Sequence, residues 1–351
     1  MVQSRRCSLK SIKKDQASHA GLWLDKYLPY QITKGEKVRE EQTPYAILVS
    51  EVAKVEIPED YEAFYQRWKK DLQDYQMVFH SGSEVHTFGA VCRKATVQGR
   101  MAVGLGDEGV LETSVTLHRT YGVPYIPGSA LKGLAASYVR QRMADPQWGS
   151  WEDENQRKKK WVPGAAYQIM FGDTGNAGYL TFFDALYVPD TACNNQPLQP
   201  DVMTVHHPDY YGDKESPPAD WDSPVPVPFL SAVGTYLIAI AGPEPFVNMA
   251  FRVLVHALAE VGVGAKTSSG YGRMVLEEGQ DSADKQTMAE QATIMKESEP
   301  VDFHQKAVDT VRPWLGNRIQ MRLDREVANK GYVVRPKPGI KLDILGFIPL
   351  E

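Results

Sequence analysis

A chain of 351 residues with 42% hydrophobic content, 24% charged content and a formal net charge of −5 can bury one large core or two ordinary ones. Its acidic balance excludes a protein that holds nucleic acid by bulk charge, so any such site must be built locally from a few placed Lys and Arg residues. Cys7, Cys92 and Cys193 are too scattered for a disulfide framework or a Cys-x-x-Cys metal site, and no apolar run approaches the roughly 20 residues of a membrane span, so a cytoplasmic protein with no membrane contact is expected.

In chain order, residues 1–20 are basic and polar and are expected to be a flexible arm, with no apolar signal region behind the charges. GLWLDKYLPY then groups apolar side chains that should pack on a core. The spacing of Tyr61, Phe64, Tyr65, Trp68 and Leu72 predicts a helix over 59–72, its aromatic stripe facing a core. Strands are expected near 85–92 and 95–103, and a third from Thr113 to His118. Pro124, Pro127, Gly122 and Gly128 break any regular element before Ser129, which is placed to cap a helix whose apolar face is Leu131, Leu134, Ala135, Tyr138 and Val139. Lys132 lies near that helix start, where the macrodipole disfavours a cation. Two readings stay open there: a solvated lysine, or an anion site formed by Gly128, Ser129 and Lys132 and extended by Arg140.

Residues 146–164, with Trp148, Trp151, Trp161 and the run RKKK, have the make-up of a solvated insertion. A helix over 165–171 and a strand GYLTFFDALYV follow. The Pro- and Asp-rich stretch 189–228 is too long for a simple connection and should wrap an edge or reach a partner. Its His206, His207 and Asp209 lack metal-ligand spacing, so neither metal nor cofactor is expected. The strand FLSAVGTYLIAIAG, a helix over 246–261, the loop GVGAKTSSGYGR and the strand YGRMVLE complete the main domain, 21–277. The order strand, helix, strand, strand, helix, strand predicts an α+β, ferredoxin-like (split βαβ, RRM-like) fold with both helices on one face, preceded by an extra hairpin. Residues 278–351 change character and form an extension with a helix expected over 317–328.

The loop from Gly262 to Arg273 is the strongest candidate site. Gly262, Gly264, Gly270 and Gly272 free the backbone to turn N–H groups toward an anion; Lys266 and Arg273 bring charge, Thr267 and its two serine neighbours hydroxyls, and Tyr271 a ring. A plain helix stop, turn and strand start would also use these glycines. A mononucleotide P-loop is excluded, because Ala265 precedes Lys266 and a strand, not a helix, follows.

YGVPYIPGSALKG and GVGAKTSSGYGR resemble the helix-start motif and the glycine-rich loop of the RAMP superfamily of CRISPR-associated proteins. GLWLDKY, MFGDTGNAGYLTFFDA and DVMTVHHPDYYGDKESPPADWDSPVPVPFL, in that order, resemble the subunit-six family of type III-B (Cmr) effector complexes, over about residues 20–277. The resemblance implies a ferredoxin-like, non-catalytic end-capping subunit, beside a neighbouring RAMP backbone subunit and the small subunit. It would hold the 3′ part of the CRISPR RNA (crRNA) and the paired target RNA. The residues implied are Gly262, Gly264, Lys266, Thr267, Gly270, Tyr271, Gly272 and Arg273 in the loop, and Gly128, Ser129 and Lys132 at the helix start, gripping phosphates while base pairing reads sequence. The two groups are expected to share one site. The alternatives are a metal-independent endoribonuclease using His118 with Tyr121 or Lys132, and a protein scaffold acting through 189–228 and the tail.

Overall fold

The computed structural model describes residues 19–28, 43–81, 84–107, 109, 111, 113–155, 158–205 and 224–277, with three tail strands at 321–327, 331–336 and 346–349. Residues 1–18 of the arm expected over 1–20, His206, His207 and Asp209, and residues 278–320 lie outside the described residues, whereas His19 and Ala20, the last two of that arm, instead cap and open a helix. Helix α1 (Ala20–Lys26) starts on His19, whose imidazole accepts the Leu22 N–H, and α2 (Pro44–Val52) starts on Thr43, which caps Ala46. Helix α3 (Glu59–Gln73) has Glu59, Asp60 and Glu62 in its first turn, where acids complement the positive helix end, and buries Tyr61, Tyr65 and Leu72.

The main sheet begins with β1 (Gln76–Ser81) and β2 (Glu84–Val97). The two strands expected at 85–92 and 95–103 are thus one that ends at Val97, because the strand Thr235–Pro243 pairs with it without a break from Phe88 to Thr96. Arg93 is accommodated in that central strand by lying over the Phe251 ring, 4.8 Å from its centroid. The segment expected as a third strand, 113–118, is instead a connection held by Thr116 N–H to Val103 O and by a single bridge between Leu117 and Pro124. After β3 (Tyr125–Ile126) comes α4 (Gly128–Arg142), then a separate hairpin of β4 (Gly149–Asn155) and β5 (Lys158–Pro163) where a loop was expected. Helix α5 (Ala165–Phe171) leads to β6 (Thr181–Phe182) and β7 (Ala185–Tyr187). A second hairpin, β8 (Leu198–Val205) with β9 (Val225–Ala232), accounts for much of the long stretch. Pro200, Pro226 and Pro228 fall within its strands. The expected strand 229–242 turns at Val233 and Gly234, so that β10 (Thr235–Pro243) is distinct from β9. Helix α6 (Glu244–Glu260) and β11 (Met274–Leu276) close the domain.

The order β11–β2–β10–β7, every neighbour antiparallel, is that of a split βαβ with its fourth strand beside the first and its third between the first and second. Strand β1 extends one edge and β3 the other. Along β2, Arg93 faces α6, whereas the Cys92 thiol faces Tyr65 of α3, so both sheet faces are covered. Every residue of β10 is buried. A second, smaller core joins Trp23 of α1, Leu48 and Val52 of α2, Leu111, Val115, and Leu198 and Leu230 at the base of the second hairpin.

The tail holds β12 (Met321–Val327), β13 (Gly331–Pro336) and β14 (Gly346–Pro349) in one antiparallel sheet. The helix expected over 317–328 is therefore a strand from Met321, its register with the β-branched run of β13 overriding a helix-compatible composition.

Candidate nucleic-acid interface

Helix α6 ends with both Val261 N–H and Gly262 N–H donating to Ala257 O at 3.0 Å, and Gly262, at φ +83°, turns the chain out of the helix. The chain then folds onto residues 98–102. Ala265 N–H donates to Ala102 O at 2.7 Å, Gly272 N–H to Arg100 O at 2.8 Å, Val263 N–H to Gly272 O at 2.9 Å, and Gln98 N–H to Arg273 O at 2.7 Å. Two glycines are obligatory for this closeness: a Cβ on Gly264 would strike the Ala102 carbonyl and one on Gly272 the Val263 carbonyl, and both have positive φ. Much of the loop's N–H capacity is therefore spent inside the protein. Its outer rim is Lys266 to Gly270, where Lys266 adopts the left-handed conformation, φ 57° and ψ 29°, and Ser268, Ser269 and Gly270 are exposed.

Two loop residues face inward. Arg273 donates from Nη1 to the Ala259 carbonyl at 2.8 Å, where a cation complements the negative end of α6. Tyr271 donates its hydroxyl to Asp201 Oδ2 at 2.8 Å, and its ring lies 6.1 Å from that of Phe229. Burial, then the Asp201 carboxylate, raise the Tyr271 pKa and hold it as a donor. Asp201 also lies 3.9 Å from Arg100, which donates to Pro200 O and Ser231 Oγ at 3.1 and 3.0 Å. The glycine-rich loop is thus fastened to the base of the β8–β9 hairpin. Among the expected loop residues, those at the rim are Lys266, Thr267 and Gly270; Gly262, Gly264, Gly272, Tyr271 and Arg273 shape it from behind.

At the start of α4 the N-cap is Pro127, and Ser129 makes no side-chain cap bond; it sits exposed within the first turn. The carboxylate of Asp184 accepts the Gly128 N–H at 2.8 Å, so the helix end expected to meet a phosphate already holds an acidic group of the protein. A Cβ on Gly128 would strike the Phe182 carbonyl, which ties this end to β6 and β7. Lys132 is half-buried and Arg140 exposed. Strands β10 and β2 lie between that end of the sheet and β11, so the helix start and the loop belong to different edges. It is the later part of α4 that meets α6: Tyr138 donates to Glu260 Oε1 at 3.1 Å and stacks on His256, 6.4 Å between centroids. Burial, then Glu260, push the Tyr138 pKa up to about 12.

His118 packs among Phe64, Tyr121 and Tyr125 at 5.2, 5.1 and 6.4 Å, and its Nδ1 accepts the Thr120 N–H at 3.3 Å. Burial lowers its pKa, favouring the neutral ring. Among the described residues no group of three His, Cys, Asp or Glu side chains is placed to hold a metal, and no helix is long and apolar enough to cross a membrane.

Sequence reasoning missed Asp184, Asp201 and Arg100. Asp184 had a visible signal, an acid inside the apolar run GYLTFFDALYV, and its exit from the strand explains why β6 and β7 are separate. Asp201 and Arg100 carried none, since their meeting depends on a hairpin and a loop about a hundred residues apart, as the Arg100–Pro200 bond shows.

This fold, with a glycine-rich loop closing the second helix onto the last strand, is that of the RAMP superfamily, whose profile matches residues 94–275, and the chain belongs to that superfamily. Within it, the chain is 32% identical over 266 residues to the CRISPR system Cmr subunit Cmr6 of Pyrococcus furiosus, covering 63% of this chain and 76% of that protein. Among solved structures, a chain of the type III-B Cmr-beta complex bound to cognate target RNA superposes with a TM-score of 0.54 at 17% identity, covering 79% of this chain and 98% of that one. The crystal structure of Cmr6 from Pyrococcus furiosus matches at 32% identity over 54% of this chain and 99% of that one, with a TM-score of 0.35.

Proposed function

We propose that this protein is a non-catalytic RNA-binding subunit of a type III-B CRISPR effector complex, holding the 3′ part of the guide RNA and its paired target by their phosphates. Its partners are then those two RNAs, a neighbouring RAMP backbone subunit and the small subunit. The observation that carries the reading is the stitched loop, which offers a fixed rim of one cation, hydroxyls and a glycine from Lys266 to Gly270. Such a rim suits a ligand whose sequence varies but whose backbone does not. A stacking platform on the sheet, the RRM mode, is closed by α3 on one face and by α4 and α6 on the other, so contacts fall to loops and hairpins. Kinship with the Cmr6 subunit supports the assignment to the complex.

A non-catalytic role is supported by the surroundings of His118, whose ring is engaged by aromatic packing and by Thr120. The test is RNA binding against salt concentration, by the chain alone and with its neighbouring subunits. The logarithm of affinity should fall linearly with that of salt, and Lys266→Ala should reduce the slope by about 1. An unchanged slope would remove the loop from the site, and RNA cleavage abolished by His118→Ala would overturn the non-catalytic role.

A further inference from the structure

A cleft of about 650 Å³ lies between α1 and residues 113–119, with Gly109, Leu111 and Leu230 also lining it and none of the glycine-rich loop's residues in its wall. Its walls are preset. His19 Nδ1 accepts the Leu22 N–H at 3.1 Å, so Nε2 carries the proton and donates to the Arg119 carbonyl at 2.9 Å, pinning α1 across the 118–122 turn. Gly122 sits so close that a Cβ would press on the Ala20 backbone nitrogen and the His19 ring. The floor is apolar, with Leu22, Leu111, Leu117 and Leu230, of which Leu22 is 49% exposed. The same cleft is lined by three residues with polar side chains: Arg119, which is exposed, His118 and Asp25. With Nδ1 of His118 accepting from Thr120, its Nε2–H is a donor.

An apolar bed with one strong cation and a neutral donor for an anionic group, and one carboxylate for N–H donors, fits a flat heterocycle carrying a phosphate; the volume lies within the usual range for such ligands. We propose that this cleft holds one unpaired nucleotide of single-stranded RNA, its base over the leucine floor and its phosphate at Arg119 and His118. The proposal rests on the RNA-binding reading above and adds a second, separate contact to it. A peptide segment of a neighbouring protein would use the leucines but would have no call on Arg119.

The test uses the full chain, with its neighbouring subunits present if RNA binding requires them, and a single-stranded RNA carrying 4-thiouridine. Irradiation should cross-link the RNA to peptides from 20–26 or 111–119. Arg119→Ala should weaken binding about fivefold, with partial rescue by Arg119→Lys. Leu22→Trp, which fills the cleft from an exposed position, should abolish these cross-links with the melting temperature unchanged. If Lys266→Ala weakens binding while Arg119→Ala and Leu22→Trp do not, the cleft proposal falls and the loop reading stands. Cleft protection by a neighbouring subunit without RNA, seen in hydrogen exchange, would likewise overturn it. If the unsubstituted chain binds no RNA in either state, both readings fall.

Discussion

At the scale of single residues, the glycines of the 262–273 loop separate by what surrounds them. Gly270 has φ +91° but open space around its Cα, so Gly270→Ala should cost only the left-handed strain, about 1 kcal/mol. Gly272 faces the Val263 carbonyl, and Gly272→Ala should cost about 3 kcal/mol or more, because either the loop or its bond to Arg100 O must give way. Urea unfolding of the two variants measures the contrast. His118 sets a second prediction. Its folded pKa lies below the ordinary histidine value because of burial, so the unfolded chain binds the proton more readily. The His118 contribution to stability should be fully present above about pH 7 and should diminish as pH falls through the ordinary histidine value of about 6.5. His118→Phe, which keeps the aromatic contacts, should flatten that part of the stability profile in chemical unfolding at pH 7.5 and pH 5.5.

At the scale of elements, the start of α4 depends on a group from another part of the chain. Asp184→Ala leaves the Gly128 N–H without its acceptor and should cost about 1 kcal/mol, whereas Asp184→Asn keeps an acceptor oxygen and should cost less, measured by thermal unfolding. This cap also marks where the sequence was legible and where it was not. Helices α3, α4 and α6 were visible in the spacing of Tyr61, Tyr65 and Leu72 and of their counterparts, because a helix's apolar face is a local property. The alternation was legible from α4 onward, but its first strand was expected at 113–118, where the chain is a connection, and β2 takes that place in the split βαβ. Ser129 fits a cap by local pattern, a hydroxyl before an apolar run, but Asp184 is a stronger acceptor supplied by tertiary structure. Likewise the break expected between 92 and 95 is absent, because pairing with β10 runs through it. For the site, the loop's position after α6 was legible, whereas the inward turn of Tyr271 and Arg273 depends on Asp201 and on the Ala259 carbonyl.

At the scale of the whole molecule, β11 completes the main sheet, and the described tail strands pair only with one another. A chain ending at Glu277 should therefore melt as cooperatively as the full chain, within a few degrees, and keep its RNA affinity. A large loss of either on calorimetry or in the binding titration would show that the tail supports the main domain.

The prolines of the β8–β9 hairpin have a further consequence. Pro226 and Pro228 share the parity of Ala232, whose N–H and C=O turn away from β8 to bond Met101, so both stand where β9 would offer outward donors and have none to offer. On β8 the Asp201 carboxylate takes the Val202 N–H at 2.9 Å, and Pro200 has no donor. A two-stranded ribbon is ordinarily an invitation to edge-to-edge pairing and to aggregation. Here Pro226 and Pro228 on one border, and Pro200 and the capped Val202 on the other, remove outward donors and so disfavour that growth.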